Sequence, residues 1–404
     1  MNILLFNSAW NNRGDESALR AMIDEVRQTY PNIKFTFFVG KEMQQFPYEN
    51  DSNINVVVEK CFTRKNYADI PFLILSKGKF AVTKEMKSLI TQIKKADFVL
   101  HAPGGPSMGD IYKSTQYNSY FKFLITKALK KPYGFYAPSM GPFNKKAQNI
   151  LRKKIYNGAE FITTREALSA EYAKKLNLKK DVIVTLDSAV QHKINHEKYE
   201  NQLKDYSELN DFLKTDKKII GITITDLMWH PNYLNNPQIK SNIENTFKET
   251  IKHLTQSGYK IVFIPQLFGL ANDYDYMKEF AINDNCFVID DKHDCFFQQY
   301  IIEKLHFVIG LRYHSNVFSA KMKTPFISIS YEQKMRGFTQ LIGLEDYCIN
   351  ISDLSADALK EKISKLESNY SKIKNHLCEI NNEITLKSKE TTMILENKLK
   401  KLNF

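Results

Sequence analysis

Short apolar runs alternate with amphipathic stretches along the first 190 residues of the chain. Residues 2–7 (NILLFN) predict a buried strand, and residues 15–30 predict a helix with Leu19, Met22 and Val26 on one face. Further strands are predicted at 33–39, 54–58, 97–101, 132–137 and 160–164. Alternation of strands and helices at this spacing is typical of a parallel sheet with helices on both faces.

The alternation stops at residue 191 and starts again after a polar segment. Residues 191–216 are rich in Lys, Asn and His and have few apolar positions, which predicts a linker between domains. We therefore expect an N-terminal Rossmann-like domain over 1–190 and a second one over 217–350. The strands of the second domain are predicted at 219–224, 260–264, 286–289, 306–309 and 326–330, with helices at 240–257, 273–282, 294–303 and 315–322.

The C-terminal segment, 351–404, carries one apolar seam. Its members recur at steps of three and four, as on one face of a long helix: Leu359, Ile363, Leu366, Tyr370, Ile373, Leu377, Ile380 and Ile384. Two structures fit such a seam, a coiled-coil dimer and a long helix docked on the protein's own surface. The run barely reaches the length that a coiled coil requires, so the docked helix is favoured.

Composition narrows the class of protein. The chain has 404 residues, of which 43% are hydrophobic and 25% charged, and these values are typical of a globular protein of about two domains. Its five cysteines form no Cys-x-x-Cys pair, so we expect neither a disulfide scaffold nor structural zinc. The start MNILLFNSAW lacks a basic leader region, and no stretch reaches 18 apolar residues. We therefore expect a soluble cytoplasmic protein.

The net charge of +12 results from 57 Lys and Arg against 45 Asp and Glu. Such a surplus fits an anionic partner, whether nucleic acid, a membrane surface or a phosphorylated small molecule, and it fits plain solvation equally well. The sequence has no helix-turn-helix, RNP or zinc pattern, and its basic residues are dispersed. We therefore expect no nucleic-acid partner.

Candidate functional residues lie in the loops after the predicted strands, because open parallel sheets bind ligands beyond the carboxyl ends of their strands. In the first half these are Asp15, expected to cap its helix, the Gly104-Gly105 turn, Ser139 and Arg165. The chain has no GxGxxG, no GxxxxGK followed by Ser or Thr, and no GxSxG. These absences argue against dinucleotide, P-loop and serine-hydrolase chemistry.

The densest cluster of such residues, GLRYHS at 310–315, directly follows a predicted strand. Arg312 and His314 stand two residues apart at the start of a predicted helix, a favourable place for a phosphate or carboxylate. Histidine is also the usual proton carrier near neutral pH. Lys334 follows the next strand and adds a cation. None of these residues has the spacing of metal ligands, so we expect no metal.

In their order and spacing, these loops resemble the motifs of the polysaccharide pyruvyl transferase family. The resemblance runs from about residue 2 to residue 347. It rests on RGDE at 13–16, GG at 104–105 with Asp110, SMGP at 139–142, RE at 165–166 with Ser169, DSA at 187–189, GLRYH at 310–314, and YEQK at 331–334 before GF at 337–338. Two positions depart from the pattern. Pro106 stands where the family often has a third glycine, and Ser188 where it often has proline, and neither change removes a chemical group.

The resemblance implies two Rossmann-like domains with parallel sheets facing a cleft, similar to GT-B glycosyltransferases, and a C-terminal helix that packs back on the N-terminal domain. It implies transfer of a pyruvyl unit from phosphoenolpyruvate (PEP), a substrate and not a cofactor, to two hydroxyls of a sugar. The products are a cyclic ketal and phosphate. By the same resemblance Arg165, Arg312 and His314 bind PEP, to which we add Lys334, and Asp110 handles the acceptor.

From the chemistry of these groups we expect His314 to act as a general acid or to stabilise the departing phosphate. A carboxylate, Asp110 first and Asp15 second, is expected to orient or deprotonate the sugar hydroxyls. The acceptor is expected to be a galactose-type sugar in a lipid-linked capsular or exopolysaccharide precursor. The remaining acceptor-side residues are expected to be Gly104, Gly105 and Ser139.

Two alternatives stay open at this point. The same fold also serves nucleotide-sugar-dependent glycosyltransferases, in which the cationic residues would bind a diphosphate. The basic segments 60–80 and 144–156 mix Lys and Arg with apolar side chains. They fit either peripheral contact with the inner face of an anionic membrane or a solvated surface. The sequence is compatible with a monomer and with an oligomer.

Overall fold

The strand pairs that the structure describes are all parallel, and they form three sheets. The structure is a computed structural model that describes residues 1–40, 46–269 and 272–402, without the side chains of 113–115. The chain divides into two units. The first unit comprises Met1–Trp10, Ala18–Gln191 and Leu386–Phe404, and the second comprises Asn11–Ser17 and His192–Thr385.

The first unit is built on a five-stranded sheet with the order β3-β2-β1-β4-β5. Its strands are β1 (Asn2–Phe6), β2 (Lys34–Val39), β3 (Ile54–Val58), β4 (Phe98–His101) and β5 (Tyr133–Phe135). Ile3 and Leu5 face one core, and Leu4 and Phe6 face the other. Both faces are covered by helices, and this explains why the strands are apolar runs without polar alternation.

The helices of the first unit pack on these two faces. They are α1 (Arg13–Thr29), α2 (Asp69–Leu75), α3 (Lys84–Lys95), α4 (Lys113–Ala128), α5 (Lys146–Tyr156) and α6 (Ala167–Lys174), with 3₁₀ turns at Arg64–Ala68 and Ser188–Val190. The predicted strand at 160–164 is shorter than expected: β6 (Thr163–Thr164) pairs only with β7 (Ile183–Val184) in a small sheet. The residues before it make isolated backbone contacts with β5: the Glu160 N–H donates to the Tyr133 carbonyl at 2.7 Å, and the Phe135 N–H donates to the Phe161 carbonyl at 3.2 Å. The Thr163 hydroxyl adds hydrogen bonds to the Phe135 carbonyl and the Ala137 N–H.

The second unit is built on a six-stranded sheet with the order β10-β9-β8-β11-β12-β13. Its strands are β8 (Ile219–Thr223), β9 (Lys260–Phe263), β10 (Cys286–Val288), β11 (Phe307–Gly310), β12 (Phe326–Ser330) and β13 (Cys348–Asn350). Its helices are α7 (His196–Asp205), α8 (Ser207–Leu213), α9 (Pro237–Gln256), α10 (Asp273–Lys278), α11 (Cys295–Glu303), α12 (Tyr313–Lys321), α13 (Gln333–Leu341) and α14 (Ala356–Ser368), with 3₁₀ turns at Glu345–Tyr347 and Ile351–Asp353. Five of these strands start within a residue of their predicted positions.

The predicted linker, 191–216, is not a linker, because it contains α7 and α8. Tyr199, Leu203 and Leu209 are its buried apolar residues, and they suffice to pack two short helices on the second unit. The Tyr199 hydroxyl also donates to Asp294 at 3.2 Å. Three buried apolar positions are too few to produce a helical periodicity in the sequence, so these helices were not predicted.

The predicted boundaries placed the start of α1 in the first domain, whereas residues 11–17 belong to the second unit. Arg13 accounts for this. Its backbone N–H donates to the Gln266 carbonyl at 2.8 Å, and its Nη2 donates to the Asp291 carbonyl at 2.6 Å. Its guanidinium also lies 4.9 Å from the centre of the Phe268 ring.

The C-terminal segment forms α14 and then α15 (Tyr370–Lys401), interrupted at Asn369. The chain itself buries most of the apolar seam, which confirms the docked helix and leaves no seam for a coiled coil. Residues 386–402 pack on the first unit, where Leu395 and Leu399 join its core. Residues 403 and 404 lie outside the described part of the chain. None of the described helices is both long and apolar enough to span a bilayer.

Leu395→Ala should destabilise the first unit by about 2–5 kcal/mol, because it removes a fully buried side chain and leaves a cavity. The matched control is Leu386→Ala on the same helix, where the side chain is 66% exposed, and its effect should stay within about 0.5 kcal/mol. Thermal unfolding of both variants measures this difference. Equal melting temperatures for the two variants would contradict the docking of residues 386–402.

Candidate functional site

Both main sheets reverse their strand order beside their first strand. The reversal lies between β1 and β4 in the first unit and between β8 and β11 in the second. Loops at the carboxyl ends of such strands form the crevice in which open α/β sheets bind ligands. Gly104 and Gly105 follow β4, and Arg312 and His314 follow β11, so two of the predicted clusters stand at these positions.

The Arg312 guanidinium is buried and is held by two side chains. Its Nε donates to Asp273 Oδ2 at 3.0 Å, while Nη2 donates to Asp273 Oδ1 and, at 3.2 Å, to Thr225 Oγ1. It also stacks on Trp229, 4.9 Å from the ring centre. Burial opposes its charge, but the Asp273 carboxylate outweighs burial and raises the pKa of Arg312. Within the described chain Nη1 has no hydrogen-bond partner, which leaves two N–H groups for a ligand.

The first turn of α1 lies against His314. The Asn12 side chain accepts from the backbone N–H of Gly14 at 2.9 Å and of Asp15 at 3.3 Å, so Asn12 caps the helix and the predicted cap, Asp15, is wrong. A Cβ atom at Gly14 would overlap the imidazole of His314, so only glycine fits there. Asp15 is half-buried one residue away, and in the described chain its carboxylate has no hydrogen bond or ion pair.

Lys334 is held in a buried ion pair with Glu332, at 2.6 Å. Burial opposes ionisation of this carboxyl, yet Lys334 and then His230 hold the pKa of Glu332 at about 2. The Lys334 ammonium lies 5.7 Å from the centre of the Tyr331 ring, and Tyr331 in turn lies 5.9 Å from Trp229. Because Trp229 also stacks on the Arg312 guanidinium, one aromatic cluster connects the two cations.

A pocket of about 300 Å³ lies beside Arg312. Its lining includes the three residues that contact the Arg312 guanidinium, namely Thr225, Trp229 and Asp273. Its other walls come from the loop after β8 and from α10. The complete lining is Thr225, Asp226, Met228, Trp229, Asn272, Asp273 and Tyr276.

A more open recess of about 950 Å³ lies at the carboxyl end of β10 and holds none of the predicted site residues. Its carboxylates, Asp205, Glu208, Asp290 and Asp291, outnumber its lysines. This balance disfavours an anionic ligand, so we take the smaller pocket as the candidate site.

In the first unit, the last residue of β4, His101, pairs with Ser107 of the loop that follows. The Gly104 backbone adopts a φ of 151°, and its carbonyl accepts from the Ser139 N–H at 2.9 Å. His101 Nδ1 lies 2.7 Å from the Ala102 carbonyl and must donate to it. His101 Nε2 therefore accepts from the Ser107 hydroxyl at 2.6 Å. Burial lowers the pKa of His101 to about 4, so the ring is neutral at physiological pH.

The predicted acceptor residue Asp110 is engaged at both carboxylate oxygens. Oδ1 accepts from the buried Arg152 at 2.6 Å, and Oδ2 accepts from the Asn144 N–H at 2.5 Å. The Asp110 N–H in turn donates to the Pro142 carbonyl at 3.0 Å. These contacts connect the loops after β4 and β5.

Arg165 is also buried in the first unit. Its Nη1 donates to Asp187 Oδ2 at 2.7 Å and its Nε donates to Ser139 Oγ at 2.9 Å. Beside it, Glu166 accepts from the Ser169 hydroxyl at 2.6 Å. Burial raises the pKa of Glu166 to about 7, although Ser169 and Arg165 act in the opposite direction.

The predicted residues therefore fall into two sets, one in each unit. The second unit holds Asp15 with three of the four predicted PEP-binding residues, although the predicted boundaries placed Asp15 in the first domain. The second unit holds Asp15, Arg312, His314 and Lys334, and the first holds Gly104, Gly105, Asp110, Ser139 and Arg165.

The residues that bind the predicted site side chains were not predicted from the sequence. Asp273 stood in the sequence only as the start of a predicted helix. Glu332 belongs to the YEQK motif but was given no role, although it directly precedes α13, the helix that carries Lys334. His101 marked the polar end of a predicted strand. In the described ranges, no group of three or more His, Cys, Asp or Glu side chains could hold a metal ion.

Comparisons with known proteins identify the family of this chain. A model of the polysaccharide pyruvyl transferase family matches residues 12–333, from the cap of α1 to the start of α13. The chain is also 23% identical over 438 aligned positions to the amylovoran biosynthesis protein AmsJ of Erwinia amylovora. That alignment covers 98% of this chain and 99% of AmsJ.

Solved structures share the fold. MnaA of S. aureus, determined with UDP, has a TM-score of 0.59 and 14% identity over 99% of this chain and 96% of that one. The UDP-GlcNAc 2-epimerase of Neisseria meningitidis, bound to UDP-GlcNAc, has a TM-score of 0.58 and 14% identity over 98% and 100%. Such low identity establishes the fold alone. The predicted GT-B-like α/β fold, with its parallel sheets and long C-terminal helix, is confirmed.

Glu166→Gln should flatten the pH dependence of stability. The ordinary pKa of this carboxyl is 4.5 and its folded pKa is about 7, so the unfolded chain releases the proton first as pH rises. Stability is therefore lost between about pH 4.5 and 7, by about 3 kcal/mol. The variant, which cannot ionise, should lack this loss. Melting temperatures from pH 5 to 8 test it, with the exposed Glu171→Gln as the control that keeps the wild-type slope.

Proposed function

Because the chain belongs to the polysaccharide pyruvyl transferase family, we propose that it transfers a pyruvyl unit from PEP to two hydroxyls of one sugar. The product is a cyclic ketal, and phosphate is released. The acceptor in this proposal is a galactose-type sugar in a lipid-linked capsular or exopolysaccharide precursor. The similarity to a protein of amylovoran biosynthesis supports a polysaccharide precursor as the acceptor.

One observation carries the donor assignment: Arg312 offers Nη1 beside a pocket at the point where the strand order of the second unit reverses. PEP carries a carboxylate and a phosphate, and the two N–H groups of Nη1 can donate to oxygens of either group. Lys334 supplies a second cation, and its ammonium lies beside Tyr331, which belongs to the same aromatic cluster as Trp229. The two carboxylate partners, Asp273 and Glu332, fix these cations in place before the ligand arrives.

The proposed reaction has two steps. In the first, a sugar hydroxyl adds to C2 of PEP while a proton is added to C3, which becomes the methyl group. In the second, another hydroxyl of the same sugar attacks C2, and the C2–O bond to phosphate breaks. Two hydroxyl protons are lost, so one balances the proton gained by C3 and the other leaves with phosphate. His314 is the proposed proton donor, since imidazole carries protons near neutral pH.

Asp15 is the proposed base for the sugar hydroxyls. The sequence ranked Asp110 first, but both oxygens of Asp110 already accept hydrogen bonds, one from Arg152 and the other from a backbone N–H. Asp15 has no such contacts within the described chain, and its neighbour Gly14 touches His314. Asp15 as the base and His314 as the acid therefore lie close together, which suits consecutive proton transfers.

The first unit supplies the proposed acceptor side. Gly104, Gly105 and Ser139 present backbone and hydroxyl groups at the ends of β4 and β5. Arg165 was expected to bind PEP. Its buried contacts with Asp187 and Ser139 support a different role, in which it orients the Ser139 loop.

The proposal predicts PEP-dependent release of phosphate with a panel of lipid-linked galactose-, mannose- and amino-sugar acceptors. The galactose-type acceptor should gain the mass of a pyruvyl ketal. His314→Ala should lower turnover by about 10²–10⁴-fold, because it removes the proton donor. Phosphate release and mass spectrometry measure the two outcomes.

The control is His253→Ala, an exposed histidine of α9 in the same unit, which should retain full turnover. Near-normal turnover of His314→Ala would refute the role of His314. Binding of UDP without any PEP-dependent phosphate release would refute the function itself and favour a nucleotide-sugar glycosyltransferase.

Gly14→Ala should lower turnover by about 10²-fold or more, since the new methyl group must displace the His314 ring. The position is helical, so alanine carries no backbone penalty there. Gly40→Ala is the matched control, because a methyl group at Gly40 meets no atom within 4 Å. Steady-state rates for both variants, with melting temperatures, test this. Unchanged turnover of Gly14→Ala would contradict the contact with His314.

A further inference from the structure

The segment from Lys60 to Lys84 exposes an unusual number of large apolar side chains. Leu75 is 84% exposed and Ile74 is 70% exposed. Single exposed apolar residues are normal on protein surfaces, whereas a contiguous group marks an interaction site. We define the 67–82 apolar patch as Tyr67, Phe72, Ile74, Leu75, Phe80 and Val82, all of them exposed.

Positive charge surrounds the 67–82 apolar patch. The only acidic residue between residues 60 and 84 is Asp69, and it is fully buried. The next one along the chain, Glu85, pairs with Lys65. The segment therefore presents no exposed carboxylate. Its exposed basic residues are Lys60, Arg64, Lys65, Lys77, Lys79 and Lys84.

The patch is held in a defined shape. The Asp69 carboxylate, at the start of α2, accepts from the backbone N–H groups of Val82 and Thr83 and from the Thr83 hydroxyl. These hydrogen bonds connect the start of α2 with the residues just before α3. Leu73 alone among the last residues of α2 points inward and is buried, and the Phe72 and Phe80 rings contact each other at 6.0 Å. These contacts hold the segment in one conformation, and in that conformation its apolar side chains are exposed.

The neighbouring helix α5 adds charge in the same helical layer. Phe62 stacks on Phe121 of α4, and Lys127 of α4 donates to the Lys154 carbonyl of α5, so α4 packs against both basic segments. The exposed residues of α5 are basic apart from Ala147 and Ile150, so α5 contributes attraction and little apolar area. Its exposed basic residues are Lys146, Lys153 and Lys154, preceded by Lys145.

We propose that the 67–82 apolar patch docks the first unit on an anionic lipid bilayer. Anionic headgroups attract the lysines, while the apolar side chains enter the boundary between headgroups and acyl chains. Nucleic acid would match the charge but not the exposed aliphatic residues. A solvated surface would match the lysines but not Ile74 and Leu75. A bilayer with anionic lipid satisfies both features at once.

The test uses the full-length chain and vesicles of phosphatidylcholine with about 30 mol% phosphatidylglycerol, at about 0.1 M salt. The wild type should float with these vesicles and not with pure phosphatidylcholine. Ile74→Ser with Leu75→Ser, and separately Lys77→Glu with Lys79→Glu, should each weaken binding about tenfold or more. The matched controls are Ile282→Ser with Leu386→Ser, and Lys248→Glu with Lys252→Glu, all exposed elsewhere, and they should bind like the wild type.

A direct measure of insertion is a tryptophan at the most exposed position. Leu75→Trp should show a blue shift with anionic vesicles and quenching by lipids brominated on the acyl chain, and Leu386→Trp should show neither. Equal binding of the patch variants and the wild type, or no quenching of Leu75→Trp, would overturn the proposal. So would a dimer without lipid that Leu75→Ser abolishes, because a second copy would then cover the patch. The experiment contains neither PEP nor acceptor, so its result is independent of the proposed reaction.

Discussion

The Asp273 carboxylate is the point on which the candidate site of the second unit depends. It accepts from the backbone N–H groups of Gln266 and Leu267, at 3.1 and 2.9 Å, and binds the Arg312 guanidinium. The Gln266 carbonyl in turn accepts from Arg13, which places the first turn of α1 against His314. Replacing a buried ion pair by apolar residues is often neutral, but removing one partner costs about 3–5 kcal/mol. The interaction therefore matters for geometry more than for net stability.

The sequence predicts the framework of this site well, because strand ends depend on local apolar runs. It located the strands before Gly104 and Arg312, and strand order then decides which loops meet. It could not predict that Asp273 would hold Arg312, since 39 residues separate them and an aspartate at a helix start has a sufficient local explanation. The prediction that Asp15 caps its helix was wrong for a related reason. Its predicted role as a cap was local, whereas its actual position follows from the contacts of Arg13 with distant loops.

In the first unit, two of the charged residues predicted for ligand binding have internal partners that the sequence did not indicate. Asp110 and Arg165 have the expected residue types at the expected places, yet each is paired inside the protein, with Arg152 and with Asp187. A single sequence does not report such pairing between distant residues. In the second unit the same pairing leaves Nη1 of Arg312 without a partner in the described chain. A guanidinium has five N–H groups, so it can be held by a carboxylate and still bind a ligand.

The last helix has a consequence for how the chain folds during synthesis. Ser388 donates to the Asp187 carbonyl at 2.7 Å, and Thr391 and Thr392 bond to Thr185 and Tyr136, all of them buried. The first unit thus contains both the first ten residues and the last ones. The second unit is complete once residue 385 has left the ribosome, although the first unit begins earlier. Vectorial synthesis would normally complete an N-terminal domain first. Here the last helix reverses that order, because Leu395 and Leu399 reach the core of the first unit only after all of the second unit has been synthesised.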